Sequence, residues 1–143
     1  MRFVFNLQRI LELKKQIEEQ QKVELSRLLK ARSEMEKNIE ELKDKLMNTG
    51  KLIFSGSEIS SLDLILYNDY REHILQEIER KEKLIESLDQ EIEKKREEVL
   101  EAIKERKKIE KLKENAYKKF LEEEKRIEQR ELDEHSIYKK ENF

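Results

Sequence analysis

The sequence contains no proline, and its only two glycines, Gly50 and Gly56, lie in one short stretch of the 143 residues. Proline costs a helix interior about 3 kcal/mol and glycine costs it about 1 kcal/mol. Because both glycines fall together, the sequence predicts two long helices that are joined at a single bend. Cysteine is also absent, which excludes a disulfide framework and a thiolate site.

Long hydrophobic runs are missing as well, since the roughly 18 successive apolar residues of a membrane span occur nowhere. The apolar run at the N-terminus is too short for a signal peptide and has no small-residue cleavage site. The 32 basic and 34 acidic residues leave a net charge of −2, and no basic face suited to nucleic acid stands out. We therefore expect a cytoplasmic protein with no direct membrane insertion and no nucleic-acid partner.

Charged residues make up 46% of the chain and hydrophobic residues 36%, which is typical of long helices and coiled coils. Disorder is the competing interpretation, because high charge with few aromatic residues is also its signature. The regular spacing of the apolar residues favours the coiled coil.

In the first arm, seam residues recur every three or four positions, as in the a and d positions of a coiled coil. They are Leu25, Leu28, Arg32, Met35, Ile39, Leu42 and Leu46. Toward the N-terminus the row continues through Phe3, Leu7, Ile10 and Ile17, and joining it to Leu25 requires a stutter at Gln21. With Asn6 as a helix cap, the first helix is predicted from about residue 6 to about residue 48.

Residues 49–60 are predicted to form the bend. Asn48 and Gly50 suit a helix C-terminus, and Ser57, Ser60 or Ser61 can cap the next helix. Ser60 and Asp63 have the spacing of a capping box. Three apolar residues lie within the bend and either fold over its tip or contact a partner: Leu52, Ile53 and Phe54.

The second arm is longer, and its row holds one phase for about sixty residues, so the second helix is predicted over about 61–137. The row consists of Tyr67, Arg71, Ile74, Ile78, Lys81, Ile85, Leu88, Ile92, Lys95, Val99, Ala102, Arg106, Ile109, Lys113, Ala116, Phe120, Glu123 and Ile127. The long basic side chains can lay their stems along the groove while their charges reach water. These basic seam residues also disfavour other registers of the two helices and bundles of more than two helices.

The two rows together predict an all-α fold, a long antiparallel two-helix coiled-coil hairpin that forms a single domain over residues 1–143. With the bend near residue 54, Ile10 lies opposite about Glu98, and the second helix overhangs the first from about Leu100 onward. Apolar residues continue along this overhang, namely Ile109, Leu112, Tyr117, Phe120 and Ile127. They predict an intermolecular contact or weak self-association.

No glycine-rich phosphate loop, Cys/His ligand set or nucleophile motif occurs in the sequence. His73 has Asp69 and Glu77 four residues away on either side, and His135 follows two acidic residues. We interpret both histidines as part of solvated helix faces, because nothing desolvates their neighbours. We expect no catalytic residue, cofactor or metal, and hence no enzyme.

Three segments resemble the FliJ family of the flagellar type III export apparatus: FVFNLQRILELKKQIEEQQ at the N-terminus, ISSLDLILYNDYREHILQEIERKEKLI after the bend and EKRIEQRELDEHS near the end. The order of these segments, the length and the unequal arms all fit that family. The resemblance implies an antiparallel coiled coil similar to the central stalk of rotary ATPases. It also implies a location in the cytoplasm, at the inner face of the cell membrane at the flagellar base.

The resemblance further implies three partners: the hexameric flagellar export ATPase, the export gate membrane protein and export chaperones. The residues implied for ATPase binding are Phe3, Phe5, Arg9, Phe120, Arg126, Gln129, Arg130, Asp133 and Glu134. Those implied for gate binding are Met47, Phe54, Tyr67, Tyr70 and Ile74. The alternatives are a stalk of a virulence type III secretion system, a structural coiled coil that dimerises through the overhang, and a prefoldin-like holding chaperone. The last class carries β-hairpins, for which the short bend leaves little room.

Overall fold

A computed structural model describes residues 2–56 and 58–141 of the chain. It contains two helices, α1 over Gln8–Phe54 and α2 over Ser61–Glu141, and no strand within those residues. The two helices pack antiparallel to each other, so the predicted all-α hairpin is confirmed. The chain divides into two compact units. The bend unit consists of Gln21–Val99, and the terminal unit combines the residues up to Gln20 with those from Leu100 onward.

Helix α1 continues through Asn48 and Gly50, where the sequence predicted its end, and reaches Phe54. No residue described by the structure has a positive φ angle, so Gly50 does not close the helix in a left-handed conformation. Its role is to allow a close approach, because a Cβ atom at Gly50 would lie 3.0 Å from the hydroxyl oxygen of Tyr67. The prediction of a helix end here was therefore wrong, and the bend proper is shorter.

The start of α2 follows the predicted capping pattern. The backbone N–H of Asp63 donates a hydrogen bond of 3.1 Å to Oγ of Ser60, which satisfies one of the free donors of the first turn. Ser57, the other candidate cap outside the helix, lies outside the described residues. At the other end of the hairpin α1 begins at Gln8, slightly later than the predicted Asn6 cap.

The core of the bend unit is built by the predicted rows. Ile39 of α1 packs with Ile74 and Ile78 of α2. Partly buried side chains surround this cluster: Leu42, Leu46, Tyr70 and Ile85. The regular three- and four-residue spacing therefore places apolar residues from both helices in one seam, as a coiled coil requires.

In the terminal unit, the row on α1 differs from the predicted one. Leu11 is 2% exposed, whereas Ile10 and Ile17, which were predicted to line the seam, are exposed. The residues that are buried or half-buried follow an unbroken heptad spacing: Leu7, Leu11, Lys14, Glu18, Gln21 and Leu25. The predicted stutter was wrong because the seam positions before Gln21 include the polar Lys14 and Glu18, and a search for apolar residues passes over them.

The overlap of the helices in the terminal unit also extends further than predicted. Phe3 contacts Phe120, and Nζ of Lys113 donates a hydrogen bond of 2.8 Å to Oε1 of Gln8. The expected overhang from Leu100 was therefore wrong. Because α1 reaches Phe54, the turning point of the hairpin lies several residues later than assumed. A shift of the turning point by one residue moves the residue of α2 that lies opposite a given residue of α1 by two.

The part of α2 that remains uncovered lies near its end. Ile109, Ala116, Phe120 and Ile127 are half-buried, whereas every residue of 128–141 is exposed. We call residues 128–141 the C-terminal extension. The apolar residues that the sequence assigned to an unpartnered stripe are thus mostly covered within the terminal unit.

Candidate partner-binding surfaces

An aromatic cluster in the terminal unit joins the N-terminal segment to α2. The ring centroid of Phe3 lies 5.2 Å from that of Tyr117, in an edge-on arrangement, and 5.4 Å from that of Phe120. Tyr117 and Phe120 lie 6.4 Å apart. Such pairs are worth about 0.5–1.5 kcal/mol beyond the area they bury. They therefore attach the non-helical residues before Gln8 to α2.

A cleft of about 450 Å³ opens beside this cluster. Its lining combines apolar and charged side chains: Phe3, Leu11, Lys15, Glu110, Lys113, Glu114 and Tyr117. Tyr117 is also exposed. The cleft therefore has the size and the aromatic wall to receive an apolar side chain of a partner, with charges at its rim.

The residues implied for ATPase binding fall into two groups in the terminal unit. Phe3 and Phe120 meet in the aromatic cluster, while Phe5 is half-buried and Arg9 is exposed. The remaining members lie on one exposed stretch of α2: Arg126, Gln129, Arg130, Asp133 and Glu134. Within that stretch Nε2 of Gln129 donates a hydrogen bond of 3.1 Å to Oδ1 of Asp133.

A second aromatic contact lies near the bend. The ring of Phe54 stands edge-on to that of Tyr67, with centroids 5.4 Å apart. Next to it is a groove of about 480 Å³. The groove is lined by Lys43, Leu46, Met47, Gly50, Tyr67, Leu75, Ile78, Glu79 and Glu82. Gly50 and Tyr67 lie next to each other in this lining, because the Tyr67 hydroxyl approaches the backbone at Gly50.

The residues implied for gate binding are not equally accessible. Met47 and Phe54 are exposed, Tyr67 and Tyr70 are half-buried, and Ile74 is 6% exposed within the core. Ile74 is therefore not accessible to a partner, and it packs in the core beneath Tyr70. Leu52, which the sequence analysis named as a possible partner contact, is exposed. The sequence reasoning missed three further exposed apolar residues near the bend: Leu62, Ile65 and Leu66. They stand out in the sequence as apolar residues at the start of α2, before the seam row begins.

Three of the basic seam residues of α2, Lys95, Arg106 and Lys113, are hydrogen-bonded to α1. In the terminal unit the guanidinium of Arg106 donates hydrogen bonds to Glu18 of α1 and, at 2.8 Å, to Glu110. In the bend unit Nζ of Lys95 donates to Gln21 at 3.0 Å and to Glu24 at 2.6 Å. Polar seam positions on the two helices are thus complementary, and this fixes their register.

The same contacts shift the ionisation of the paired groups. The hydrogen bond from Lys95 lowers the pKa of Glu24, and the hydrogen bonds to Glu24 and Glu98 raise the pKa of Lys95. The pKa of Arg106 is raised by its hydrogen bonds to Glu18 and Glu110. These contacts join seam positions of the two helices and so serve a structural role.

The described residues offer little for chemistry. No group of three or more His, Cys, Asp or Glu side chains in residues 2–56 and 58–141 is arranged to hold a metal ion. No helix in the same residues is long and apolar enough to cross a membrane. What the structure presents instead is a set of surfaces: the aromatic cluster with its cleft, the C-terminal extension and the apolar residues near the bend.

Comparison with known proteins gives one family match. The family described as "Flagellar FliJ protein" matches residues 3–141, which is nearly the whole chain. Neither the curated proteins nor the solved structures gave a match.

Proposed function

Because the chain belongs to the flagellar FliJ protein family, whose members are non-enzymatic components of flagellar export, we propose that it is a stalk in the hexameric export ATPase. In this role it promotes assembly or activity of the ring. It also links the ring to the export gate membrane protein and to export chaperones. It works in the cytoplasm, at the inner face of the membrane at the flagellar base.

The observation that carries this proposal is the composition of the terminal unit. A helix that continues as the exposed C-terminal extension, residues 128–141, follows directly on the aromatic cluster of Phe3, Tyr117 and Phe120. A single charged helix is narrow enough to enter a ring. The aromatic cluster attaches Phe3 to α2 shortly before the extension, so this N-terminal residue and residues 128–141 both belong to the unit that would face the ATPase.

The charged residues of α2 supply the contacts with the ring. Arg126, Arg130 and Glu134 are exposed, so they can meet polar loops without the cost of leaving a buried core. Phe3 and Phe120 are half-buried and already in contact. Their part is to position the segment around them.

The bend unit supplies the contact with the export gate. Met47 and Phe54 are exposed beside the groove at Gly50, and Leu62, Ile65 and Leu66 add apolar surface near the bend. An exposed apolar patch of this kind is typical of a protein-binding surface. Ile74 contributes through the core. Export chaperones are assigned to this protein through its family alone.

The mechanism needs no catalytic group in this chain. A stalk changes the assembly equilibrium of the ring only through a higher affinity for the assembled state than for the separate subunits. Higher ATP hydrolysis then follows from a larger population of hexamers.

The test measures ATP turnover of the export ATPase over a range of enzyme concentrations, with and without this protein, and the hexamer population by sedimentation. The stalk role predicts that half-maximal activity is reached at a lower enzyme concentration when the protein is present. A variant with Arg126→Ala and Arg130→Ala should lose this effect, and one with Lys37→Ala and Lys83→Ala should keep it. If turnover and hexamer population stay unchanged with the wild-type protein, the stalk role is wrong.

A structural dimer remains the second candidate, favoured by exposed apolar residues in the C-terminal extension such as Leu132 and Ile137. Sedimentation of the protein alone distinguishes it. A stable dimer at low micromolar concentration that is lost on changing Leu132 and Ile137 to Ser would support dimerisation through the extension.

A further inference from the structure

Four lysines stand at seven-residue intervals on α2 of the terminal unit: Lys104, Lys111, Lys118 and Lys125. We call them the lysine ridge. Seven residues of a helix rise about 10.5 Å, so the ridge spans about 30 Å. Because a heptad nearly completes two turns, all four side chains stay on one side of the helix.

The ridge faces away from α1. Lys104, Lys111 and Lys118 each precede a seam residue by two positions, which corresponds to a rotation of about 200° around the helix. All four ridge lysines are exposed. The side chains of Lys111 and Lys118 remain about two-thirds accessible although both lie near Glu114, at 3.7 Å and 3.3 Å.

The local charge around the ridge differs from that of the rest of the helix. Residues 104–119 contain eight basic and three acidic side chains, whereas residues 61–103 of the same helix contain seven basic and thirteen acidic ones. The net charge of the whole chain conceals this difference. The ridge can be found in the sequence by searching for lysines at seven-residue spacing on the outer face of the helix, as the seam is found by searching for apolar residues.

The shape of the ridge restricts what it can bind. Between Lys104 and Lys111 the exposed Lys107 and Lys108 widen it, whereas from Lys111 to Lys125 it is one lysine wide, with Glu114 and Glu122 beside it on the helix surface. A membrane or a nucleic-acid duplex presents a broad field of phosphates, which these carboxylates would repel. A helix with carboxylates at seven-residue intervals presents charges at the same 10.5 Å pitch as the lysines.

We propose that the lysine ridge is a docking surface for a helix of a partner protein that carries acidic side chains at heptad spacing along one face. This goes beyond the stalk role, because no ridge lysine belongs to the residues proposed for ATPase binding. The interaction depends on several exposed ion pairs, each weak. It is therefore sensitive to salt and selective for spacing.

The test uses the full chain, labelled with ¹⁵N, and two synthetic 28-residue helical peptides of identical composition. One peptide carries four Glu at seven-residue spacing, and the other carries them at five-residue spacing, which distributes them around the helix. At 50 mM salt the heptad peptide should bind about fivefold or more tightly than the other, with amide shifts centred on residues 104–125. Raising the salt to 300 mM should weaken this binding, because the pairs are exposed.

A variant with Lys104→Gln, Lys111→Gln, Lys118→Gln and Lys125→Gln should lose the preference, since Gln and Lys have similar helix propensity. The matched control changes four exposed lysines elsewhere to Gln: Lys30, Lys37, Lys83 and Lys94. It should bind the heptad peptide within about twofold of the wild-type protein. Equal affinity for the two peptides, or equal loss in both variants, would overturn the proposal.

Vesicles containing phosphatidylserine and a 20-base-pair DNA duplex are the remaining arms. If the vesicles or the duplex bind more tightly than the heptad peptide, and the ridge variant loses that binding, then the ridge binds phosphate groups instead of a helix. That result would overturn the proposal. ATPase stimulation by the ridge variant is measured separately. Whether the ridge variant stimulates the ATPase bears only on the stalk role, and the peptide result does not depend on it.

Discussion

Glu18 of α1, only 6% exposed, accepts hydrogen bonds from the guanidinium of Arg106 on α2. Both residues occupy seam positions, where a coiled coil usually has apolar side chains. The pair therefore contributes little to the apolar core but ties one register of the two helices to a specific contact. Arg106 also donates to Glu110 of its own helix, which holds the guanidinium in place.

This pair predicts an order of stabilities. Changing Arg106→Leu leaves the Glu18 carboxylate in the seam without the guanidinium, so the variant should unfold at a lower temperature than the wild-type protein. The double change Glu18→Leu and Arg106→Leu replaces the pair by an apolar contact and should be at least as stable as the wild type. Thermal unfolding followed by circular dichroism measures both. A double variant less stable than Arg106→Leu would show that the pair is not the relevant interaction.

Ile74 belongs to the core with Ile39 and Ile78, in agreement with its place in the predicted seam row, although the family resemblance also implied it for gate binding. Ile74→Ala should lower the free energy of unfolding by about 2–5 kcal/mol, because it removes a buried side chain and leaves a cavity. Leu62→Ala is the matched control, since Leu62 is 63% exposed, and its effect should stay within about 0.5 kcal/mol. Urea unfolding measures both, and similar losses in the two variants would contradict the packing.

The sequence predicted the two rows of the bend unit because apolar residues hold most of their positions there, as Ile39 and Ile78 illustrate. It failed on α1 in the terminal unit because Lys14 and Glu18 hold seam positions as polar residues. The partner of Glu18, Arg106, lies 88 residues away on the other helix. Pairing of this kind follows from the register, and the register depends on where the chain turns.

The turning point was misplaced because Gly50 has two opposite meanings in a sequence. A glycine can end a helix by adopting a positive φ angle, or it can allow a neighbour to approach the helix closely. Only the position of Tyr67 against Gly50 decides between them. The same error produced the predicted overhang from Leu100, because a turning point placed too early leaves more of α2 without a partner on α1.

The contact between Gly50 and Tyr67 can be tested by a double-mutant cycle. Alanine favours a helix over glycine by about 1 kcal/mol, but a Cβ at position 50 would meet the Tyr67 hydroxyl at 3.0 Å. Gly50→Ala should therefore gain little or lose stability in the wild-type protein. In a Tyr67→Phe background, which lacks that oxygen, the same change should stabilise by about 1 kcal/mol. Equal effects in both backgrounds, measured by urea unfolding, would contradict the close approach.

The ion pair between Glu24 and Lys95 predicts a dependence of stability on pH. The pKa of Glu24 is lowered in the folded protein by the hydrogen bond from Lys95. The unfolded chain therefore takes up a proton at Glu24 at a higher pH than the folded chain does. The stabilisation by this pair is thus complete above the ordinary pKa of glutamate, about 4.3, and is lost as the pH falls through the lowered value.

Glu24→Gln removes this titration. The melting temperature of the variant, relative to that of the wild-type protein, should be lower at pH 7 and should approach it as the pH is reduced toward 2.5. Glu19→Gln is the control, because Glu19 is an exposed carboxylate on the same helix. A constant difference between Glu24→Gln and wild type at all pH values would contradict the role of Lys95.

The C-terminal extension can be separated from the packed part of the chain. Every residue of 128–141 is exposed, so a chain that ends at Ile127 loses helix without losing core. Its midpoint of thermal unfolding should stay within a few degrees of the wild-type value, while its helical signal decreases. Under the proposed function the shortened chain should no longer stimulate the export ATPase, whereas Phe54→Ala, near the bend, should stimulate it normally. A shortened chain that stimulates as well as the full protein would remove the extension from the proposed contact and leave the aromatic cluster of Phe3, Tyr117 and Phe120 as its only basis.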